Sequence, residues 1–384
     1  MILRKELLDE ARDASLLEGR LGILTNQVCF RPETGNYLFQ EWKNLKRLFV
    51  PEHGLFSELQ DQVGLDDTSV YPFLPGVEVV SLYGTSPDSL EPSPEQLLDL
   101  DALIIDLQDV GIRYYTFATT AAYVLRALAR HRPGIEIFVV DRENPAGPSV
   151  EGSPLPPEYE SFVGFPGLPH RHGLRLSELI LFFQYRLGHA FKVSVFRAGR
   201  TFIPPSPNFP ARDTAMVYSG QCLLEATNIS EGRGTSRPFE FFGAPFLRTF
   251  QDTFPAAPHS ALRPLLFRPS FHKFKDQTCQ GFQILPFSPA YHSLLHSLRL
   301  IRFMKENYPE FAWREGPYEF VSDRPAIEIL VGDELLLAYL NGRVQLPEVE
   351  SYLLQPFFLS FYPDLIRPQF FAVFFCGPLA VTFD

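Results

Sequence analysis

Six segments in the first 200 residues are almost continuously apolar, and each has the length of a β-strand. They are RLGILTN (20–26), LKRLFVP (45–51), GVEVVSLYG (76–84), LDALIIDLQD (100–109), GIEIFVVDR (134–142) and FKVSVFRAG (191–199). Nearly continuous Val, Ile, Leu and Phe is typical of strands whose two faces are both covered. We therefore expect six buried strands in one sheet.

Two longer segments between these strands carry apolar residues at helical spacing, namely FATTAAYVLRALARH (117–131) and RLSELILFFQYRLG (175–188). Strands that alternate with helices are connected by right-handed crossovers and form a mainly parallel sheet. The sequence therefore predicts an α/β fold of the doubly wound, Rossmann-like kind.

The pattern changes in the last third of the chain, where prolines interrupt short mixed segments. HSLLHSLRLIRFMKENY (292–308) is an amphipathic helix, and the phenylalanine-rich segments PFEFFGAPF, LQPFFLSFYP and PQFFAVFFCG are interpreted as core and domain interface. We therefore expect two domains: a Rossmann-like domain over residues 1–240 and a smaller α+β domain over 241–384.

Composition and charge narrow the class of protein. Of the 384 residues, 45% are hydrophobic and 21% are charged, so a sizeable core is expected. The net charge of −11 and the pI of about 5.4 argue against general attraction to nucleic acid or to anionic membranes. The four cysteines lack metal-binding spacing, and the first 20 residues lack an apolar signal-peptide core. We expect a cytoplasmic protein without a cofactor, a metal or a membrane-inserted segment.

Polar residues follow the first five predicted strands where each strand ends. They are Asn26, Gln27, Glu52, His53, Tyr83, Asp106, Gln108, Asp109, Asp141, Arg142 and Asn144. In a parallel sheet the carboxyl ends of all strands meet at one edge, and ligands bind in the crevice beyond that edge. Turns and helix caps explain some of these residues singly. Taken together, they predict a binding site at this edge.

A second concentration of polar residues begins at residue 204. In PPSPN (204–208) the prolines hold Ser206 and Asn208 at little entropic cost. EATNISEGRGT (225–235) offers Glu225, Asn228, Glu231 and Arg233, with glycines that allow a ligand close to the backbone. Its GRG is a weak match to a nucleotide-binding loop, because it does not open a helix after a strand.

A metal site is not favoured. His170 and His172 could share a metal ion, but an H-x-H pair in a segment rich in proline and glycine is more often part of a turn.

The motifs, in their order along the chain, resemble the exo-β-N-acetylmuramidase family, also known as DUF1343. They are LGILTNQ, PEHG, YGTS, DLQDVGIRYYTF, VVDRENPAG, HGLRLSEL, PPSPNFP and NISEGRGTSRPFEFFGAPF, followed by YEFVSDRPAIEILVG, in which Glu328 stands where an aspartate is usual. The resemblance implies a cleft between the two domains and release of terminal N-acetylmuramic acid from peptidoglycan fragments. The usual PEHGFRG reads PEHGLFS here, without its Arg-Gly.

The resemblance makes Glu52, in PEHG, the leading catalytic carboxyl group. Glycoside hydrolysis generally needs two carboxyl groups, and burial in a cleft would raise the pKa of Glu52 so that it could act as the acid. We expect Glu231 to be the second, with Asp106, Asp109 and Glu151 as alternatives. A route in which the sugar's own acetamido oxygen attacks stays open. His53 would orient Glu52 or bind a sugar hydroxyl.

The substrate would carry a lactyl carboxylate, which arginine can bind through two parallel hydrogen bonds. An acidic protein that binds such a substrate needs a locally basic pocket. The predicted substrate-binding residues are Asn26, Gln108, Asp109, Arg113, Tyr115, Arg142, Asn144, His172, Ser206, Asn208, Asn228 and Arg233. Two other functions stay open at this point: a catalytically silent carbohydrate-binding protein with the same cleft, and a nucleotide-binding Rossmann protein.

Overall fold

The computed structural model describes residues 2–4, 19–59, 63–65, 71, 74–198 and 201–354. The charged N-terminal segment and the phenylalanine-rich segments after residue 354 lie largely or wholly outside the described residues, so the predicted core and interface role of the latter falls outside them too. The fourth cysteine, Cys376, lies outside them too, whereas Cys29, Cys222 and Cys279 are free thiols.

The described residues include twelve strands. They are β1 (Ile2–Arg4), β2 (Leu21–Thr25), β3 (Phe30–Arg31), β4 (Asn36–Tyr37), β5 (Leu45–Val50), β6 (Glu78–Ser81), β7 (Ala102–Asp106), β8 (Glu136–Asp141), β9 (Lys192–Arg197), β10 (Phe241–Ala244), β11 (Ser260–Phe267) and β12 (Cys279–Pro286). All six predicted strands are confirmed.

Eight α-helices lie within the same residues. They are α1 (Leu38–Glu41), α2 (Thr116–His131), α3 (Leu176–Leu187), α4 (Arg212–Gln221), α5 (Ser293–Asn307), α6 (Ala326–Val331), α7 (Glu334–Leu340) and α8 (Leu346–Leu353). Short 3-10 turns lie at Gln27–Cys29, Pro87–Leu90, Pro94–Gln96, Pro157–Tyr159 and Cys222–Ala226. The three helices expected from apolar periodicity are α2, α3 and α5. Within the described part of the chain, none of the helices combines the length and apolar character that a bilayer crossing requires.

The main sheet has seven strands, all parallel, in the order β1-β9-β8-β7-β2-β5-β6. The chain runs outward from β2 to β5 and β6 and then returns to the other side of β2 with β7. Such a reversal opens a crevice between the carboxyl ends of the two strands where it occurs, here β2 and β7. The α/β fold is therefore confirmed, and its topology places the crevice at the edge that the sequence predicted.

Burial on both sheet faces explains the continuous apolar runs. Leu24, Phe49 and Leu103 belong to the large core that α2 and α3 cover, whereas Ile23 and Leu48 belong to a second core on the opposite face. Strands enclosed on both sides cannot show the alternation of an amphipathic strand.

A smaller unit follows in the chain. Its antiparallel sheet has the order β10-β12-β11, and α4 packs against both α5 and β12. Helix α4 precedes residue 240 in the sequence but packs with elements that follow that residue. The boundary at 240 stays a prediction.

Arg113 joins the two parts of the structure. Its buried guanidinium donates to the carbonyl oxygens of Leu330 (2.8 Å) and Val331 (3.0 Å), at the carboxyl end of α6. A third donation from Arg113 reaches Leu168 O at 3.4 Å. The last carbonyls of a helix have no partner within the helix, so a buried arginine fork that satisfies two of them anchors α6 to the first domain.

We expect Arg113→Ala to lower the free energy of unfolding by about 2–4 kcal/mol, because it leaves buried carbonyl oxygens without donors. Urea unfolding followed by circular dichroism measures the change. Arg130→Ala removes an exposed arginine that pairs with Glu91 and should change the same quantity by less than about 0.5 kcal/mol. Equal effects of the two substitutions would contradict the anchoring role.

Candidate active site

A pocket lies beyond the carboxyl end of β5, between the main sheet and the later part of the chain. The space between its walls is about 450 Å³, part of which opens to solvent. Its walls are formed by Glu52, His53, Tyr114, Tyr115, Thr116, Val163, Ser206, Asn208, Phe209, Tyr218, Glu225, Arg233, Phe239, Tyr318 and Glu319.

Glu52 is buried in this wall, with only 6% of its surface exposed. The hydroxyl of Thr116, the first residue of α2, donates to Glu52 Oε2 at 2.6 Å. Burial raises the pKa of Glu52 well above its usual value, and the charge of Glu319 raises it further. The Thr116 hydrogen bond and the charge of Arg233 act in the opposite direction but do not outweigh burial. The carboxyl group is thus shifted toward holding its proton near neutral pH, as a general acid requires.

His53 follows Glu52 on a tight turn. Its φ is +76° and that of Gly54 is +86°, and a Cβ at position 54 would lie 2.6 Å from the Glu58 carboxyl group. The Nδ1 atom of His53 lies 3.2 Å from the carbonyl oxygen of Leu59, so the proton of the neutral ring belongs on Nδ1. Burial and the charge of Arg233 lower the pKa of His53 to about 3. His53 can therefore accept a hydrogen bond but cannot serve as an acid.

The residues that replace the family's usual Phe-Arg-Gly after Gly54 have packing and positioning roles. Leu55 is fully buried, and the ring of Phe56 packs edge-on against Tyr37 with centroids 5.4 Å apart. Ser57 has a φ of +56°, in the region that favours glycine, and its hydroxyl donates to the carbonyl oxygen of Pro205 at 2.8 Å. With Leu55, Phe56 and Ser57 in place of Phe-Arg-Gly, Glu52 and His53 still lie in the pocket wall.

Asn26 positions a loop of the pocket. Its Nδ2 donates to the carbonyl oxygen of Pro205 at 2.7 Å, and its Oδ1 accepts from Val28 N. Asn26 was predicted to bind substrate, but both ends of its amide are thus engaged by backbone. Gln27 Nε2 holds the carbonyl oxygen of Pro204 in the same way, at 2.7 Å.

The loop held in this way brings Ser206 and Asn208 into the wall, as predicted. The side-chain nitrogen of Asn208 is buried without a hydrogen-bond partner among the described residues. A buried donor without a partner is costly, so a bound ligand would stabilise it. Tyr115, also predicted, lies in the same wall beside Ser206.

Glu225 and Arg233 form an ion pair in the opposite wall, with Arg233 Nη2 2.7 Å from Glu225 Oε1. The hydroxyl of Tyr318 donates to Glu225 Oε2 at 2.6 Å. Both carboxylate oxygens of Glu225 are therefore engaged. Arg233 is the one arginine of the predicted set that lines the pocket.

Glu231 lies behind this wall rather than in it. Its carboxylate is fully buried and contacts Lys273 Nζ at 2.8 Å, His272 Nδ1 at 3.1 Å and Arg233 Nε at 3.4 Å. Burial acts to raise the pKa of Glu231, but these three groups overcome it and lower the pKa. This geometry does not favour the expected role of Glu231 as the second catalytic carboxyl group, and is that of a residue that holds Arg233.

Two further predicted arginines lie away from the pocket. Arg113 is the anchor of α6 described above, and Arg142 pairs with Asp106 at 2.7 Å. The described wall of the pocket is therefore not predominantly basic. Among the described residues that line it, three carboxyl groups, those of Glu52, Glu225 and Glu319, accompany the one guanidinium of Arg233.

The other predicted binding residues outside the wall support loops. Gln108 donates to Glu143 O (2.9 Å), Asn144 donates to Leu174 O (3.2 Å), and Asn228 donates to Glu310 O (2.7 Å). Among the alternative catalytic carboxyl groups, Glu151 is buried in an ion pair with Arg171 at 2.9 Å.

The remaining predicted residues, Asp109 and His172, contact each other. Asp109 accepts from Gly111 N at 2.7 Å and lies 3.2 Å from His172 Nε2. His170 instead lies 3.2 Å from Arg113 Nη2, so the two histidines serve different contacts. Within the described residues, no group of three metal-binding side chains comes together.

Thr116, Tyr318 and Glu319 are among the wall residues that sequence reasoning missed. Thr116 directly precedes the segment 117–131 that was expected to form α2. The same apolar pattern could therefore have predicted its position at the start of the helix, beside the crevice. Tyr318 and Glu319 lie about 200 residues further along the chain, in the motif YEFVSDRPAIEILVG, which contributed to the family resemblance but not to the predicted site.

Comparison with known proteins identifies the family. Residues 21–213 match the family model described as the N-terminal domain of the exo-β-N-acetylmuramidase NamZ, and residues 216–356 match that of its C-terminal domain. The chain belongs to the NamZ family. The peptidoglycan β-N-acetylmuramidase NamZ of Bacillus subtilis (strain 168) is 34% identical over 329 residues, which cover 79% of this chain and 75% of that protein.

Two solved structures of DUF1343 family proteins from Bacteroides fragilis NCTC 9343 share the fold with this NamZ family member. One has a TM-score of 0.72 and 23% identity, covering 96% of this chain and 95% of the other. The second has a TM-score of 0.63 and 25% identity, covering 90% and 93%.

The electrostatics of Glu52 predict a stability change that depends on pH. A carboxyl group whose pKa is raised on folding stabilises the fold below its unfolded pKa, and this stability is lost as pH rises through the folded pKa. Glutamine resembles the protonated form at every pH. We therefore expect Glu52→Gln to raise the melting temperature by a few degrees at pH 8 and by much less at pH 4.

Thermal unfolding at both pH values measures this difference. Glu315→Gln, which changes an exposed acid, is the control and should show the same small shift at both. A Glu52→Gln shift that does not grow with pH would contradict the raised pKa.

Proposed function

We propose that the protein is an exo-acting glycosidase that releases terminal N-acetylmuramic acid from peptidoglycan-derived saccharides. Family membership and the curated activity of the Bacillus subtilis relative support this substrate class. The main structural support for the proposed chemistry is the position of Glu52, which is buried in a pocket wall beside other carboxyl groups. A location in the cytoplasm stays a prediction.

In this proposal Glu52 is the general acid. Its proton passes to the glycosidic oxygen while the bond between that oxygen and the anomeric carbon breaks, and the alcohol leaves with the electron pair of that bond. Thr116 holds one carboxyl oxygen and thereby fixes the direction of the acid. His53, neutral at physiological pH, accepts a hydrogen bond from a sugar hydroxyl.

Arg233 is the residue that we assign to the lactyl carboxylate of the sugar. It is a pocket-wall cation, and its ion pairs with Glu225 and Glu231 hold the guanidinium in one orientation. A preorganised guanidinium loses less entropy when it binds a carboxylate. Glu231, predicted from the sequence as a catalytic group, acts in this proposal through Arg233.

Two substrates test the assignment of Glu52. A p-nitrophenyl β-N-acetylmuramide has a leaving group that departs without a proton, whereas a disaccharide with an N-acetylmuramic acid terminus needs the acid. We expect Glu52→Gln to lower kcat by about 100- to 10,000-fold on the disaccharide and by far less on the aryl glycoside. Chromatography of released sugar and absorbance of nitrophenolate measure the two rates.

The same experiment decides between hydrolysis and silent binding. If the unchanged protein binds the disaccharide in calorimetry but releases no sugar from either substrate, only the carbohydrate-binding function is left. If Glu52→Gln loses activity equally on both substrates, Glu52 is not the acid.

Arg233→Lys keeps the positive charge but removes the fork of donors. We expect it to raise KM for the muramide by about tenfold, the equivalent of about 1.4 kcal/mol, because a bidentate contact becomes a single one. Activity on the corresponding N-acetylglucosaminide, which lacks the lactyl group, is the reference. An equal change in KM for both sugars would contradict the contact.

A further inference from the structure

The segment that carries Glu319 has an unusual backbone. Tyr318 and Val321 exchange two backbone hydrogen bonds, each 2.9 Å long, so Glu319 and Phe320 are the two central residues of a tight hairpin turn. Their φ values are +46° and +67°. Two-residue turns with positive φ at both central positions strongly favour Asn-Gly, and neither glutamate nor phenylalanine adopts this region readily.

Contacts with the first domain hold this turn in place. Phe320 packs edge-on against Tyr83, with ring centroids 5.6 Å apart, and against Phe162 at 6.4 Å. Tyr83 and Phe162 stack on each other at 5.4 Å. Because both belong to the sheet domain, the strained turn is stabilised by its docking on that domain rather than by its own sequence.

The turn directs a carboxyl group into the pocket. Glu319 is 8% exposed and lines the wall that also contains Glu52. The hydroxyl of Tyr83 donates to Glu319 Oε2 at 3.1 Å. Strained backbone that the surrounding structure maintains is typical of functional sites, where a side chain must be held in one direction.

Two other carboxyl groups near the pocket lie in ion pairs. Glu225 uses one oxygen for Arg233 and the other for Tyr318, and Glu231 is enclosed by cations behind the wall. Glu52 and Glu319 line the same pocket, and of all charges around Glu52 that of Glu319 has the largest effect on its pKa.

We propose that Glu319, presented by the turn of residues 318–321 and held by Phe320 and Tyr83, is the second catalytic carboxyl group of this site. The inference rests on the proposed glycosidase function and assigns the partner of Glu52. Glu319 accepts a proton from the water whose oxygen forms the new bond to the anomeric carbon, while Glu52 gives its proton to the departing oxygen. One water is thereby added across the glycosidic bond, and a proton has moved from Glu52 to Glu319. Exchange with solvent restores both groups.

Phe320 and Tyr83 are positioning residues in this proposal, since they act through Glu319. Tyr83→Phe removes only the hydroxyl that donates to Glu319 and keeps the ring that contacts Phe320. It is therefore a conservative test that should fold like the parent.

The experiment measures kcat and KM of Glu319→Gln, Tyr83→Phe and the double variant on both the aryl glycoside and the disaccharide. We expect Glu319→Gln to lower kcat at least about 100-fold on both substrates, with KM within about threefold, because water attack is needed whatever the leaving group. We expect Tyr83→Phe to lower kcat about tenfold and to have no further effect when Glu319 is already glutamine. Tyr123→Phe changes a hydroxyl of the same aromatic cluster outside the pocket wall and should leave kcat unchanged.

Failure of this inference is distinct from failure of the proposed function. If the parent releases no sugar, the glycosidase function is wrong. If the parent is active and Glu52→Gln is impaired but Glu319→Gln keeps its kcat, the assignment of Glu319 alone is overturned. Effects of Glu319→Gln and Tyr83→Phe that simply add would overturn the positioning role of Tyr83.

Discussion

The burial of the Glu52 carboxyl group beside other carboxyl groups is the constraint on which the rest of the site depends. Burial and the nearby charge of Glu319 both favour the protonated form, and one hydroxyl from Thr116 fixes its direction. In water the pKa of this carboxyl group would not be raised, because solvent would screen the charge of Glu319 and hydrate the carboxylate. The two parts of the chain must therefore close around this group before it can have the properties of an acid.

That closure is maintained by several contacts outside the pocket. Arg113 ties the carboxyl end of α6 to the first domain, Asn26 and Ser57 hold the Pro205 carbonyl, and the Tyr83 cluster holds the turn that bears Glu319. Most of these groups are polar and buried, so their loss would leave donors or acceptors unsatisfied. Many polar residues at the sheet edge thus act on the site indirectly, through loop position.

The sequence predicted the sheet well because both its faces are buried and parallel strands then appear as continuous apolar runs. The strand-end pattern also placed Glu52 and His53 at the edge beside which the candidate pocket lies, and the segments after residue 204 supplied Ser206, Asn208 and Arg233. Arg113, Arg142 and Glu231 lie outside the pocket wall. From the sequence alone, such a polar residue is equally consistent with a ligand contact, an ion pair and a turn. The three cases differ only in which groups lie across from the side chain.

By itself, then, the sequence determined the α/β fold, the family and the edge of the sheet at which the chemistry is expected, because periodicity and local motifs are properties of neighbouring residues. The tertiary structure alone decided which carboxyl groups share a space with Glu52. Glu225 and Glu319 reach it from segments more than 170 residues further along the chain, and Glu319 does so on a turn that its own residues disfavour. Such a turn is maintained by packing on distant aromatic rings, and no pattern along the chain encodes that contact.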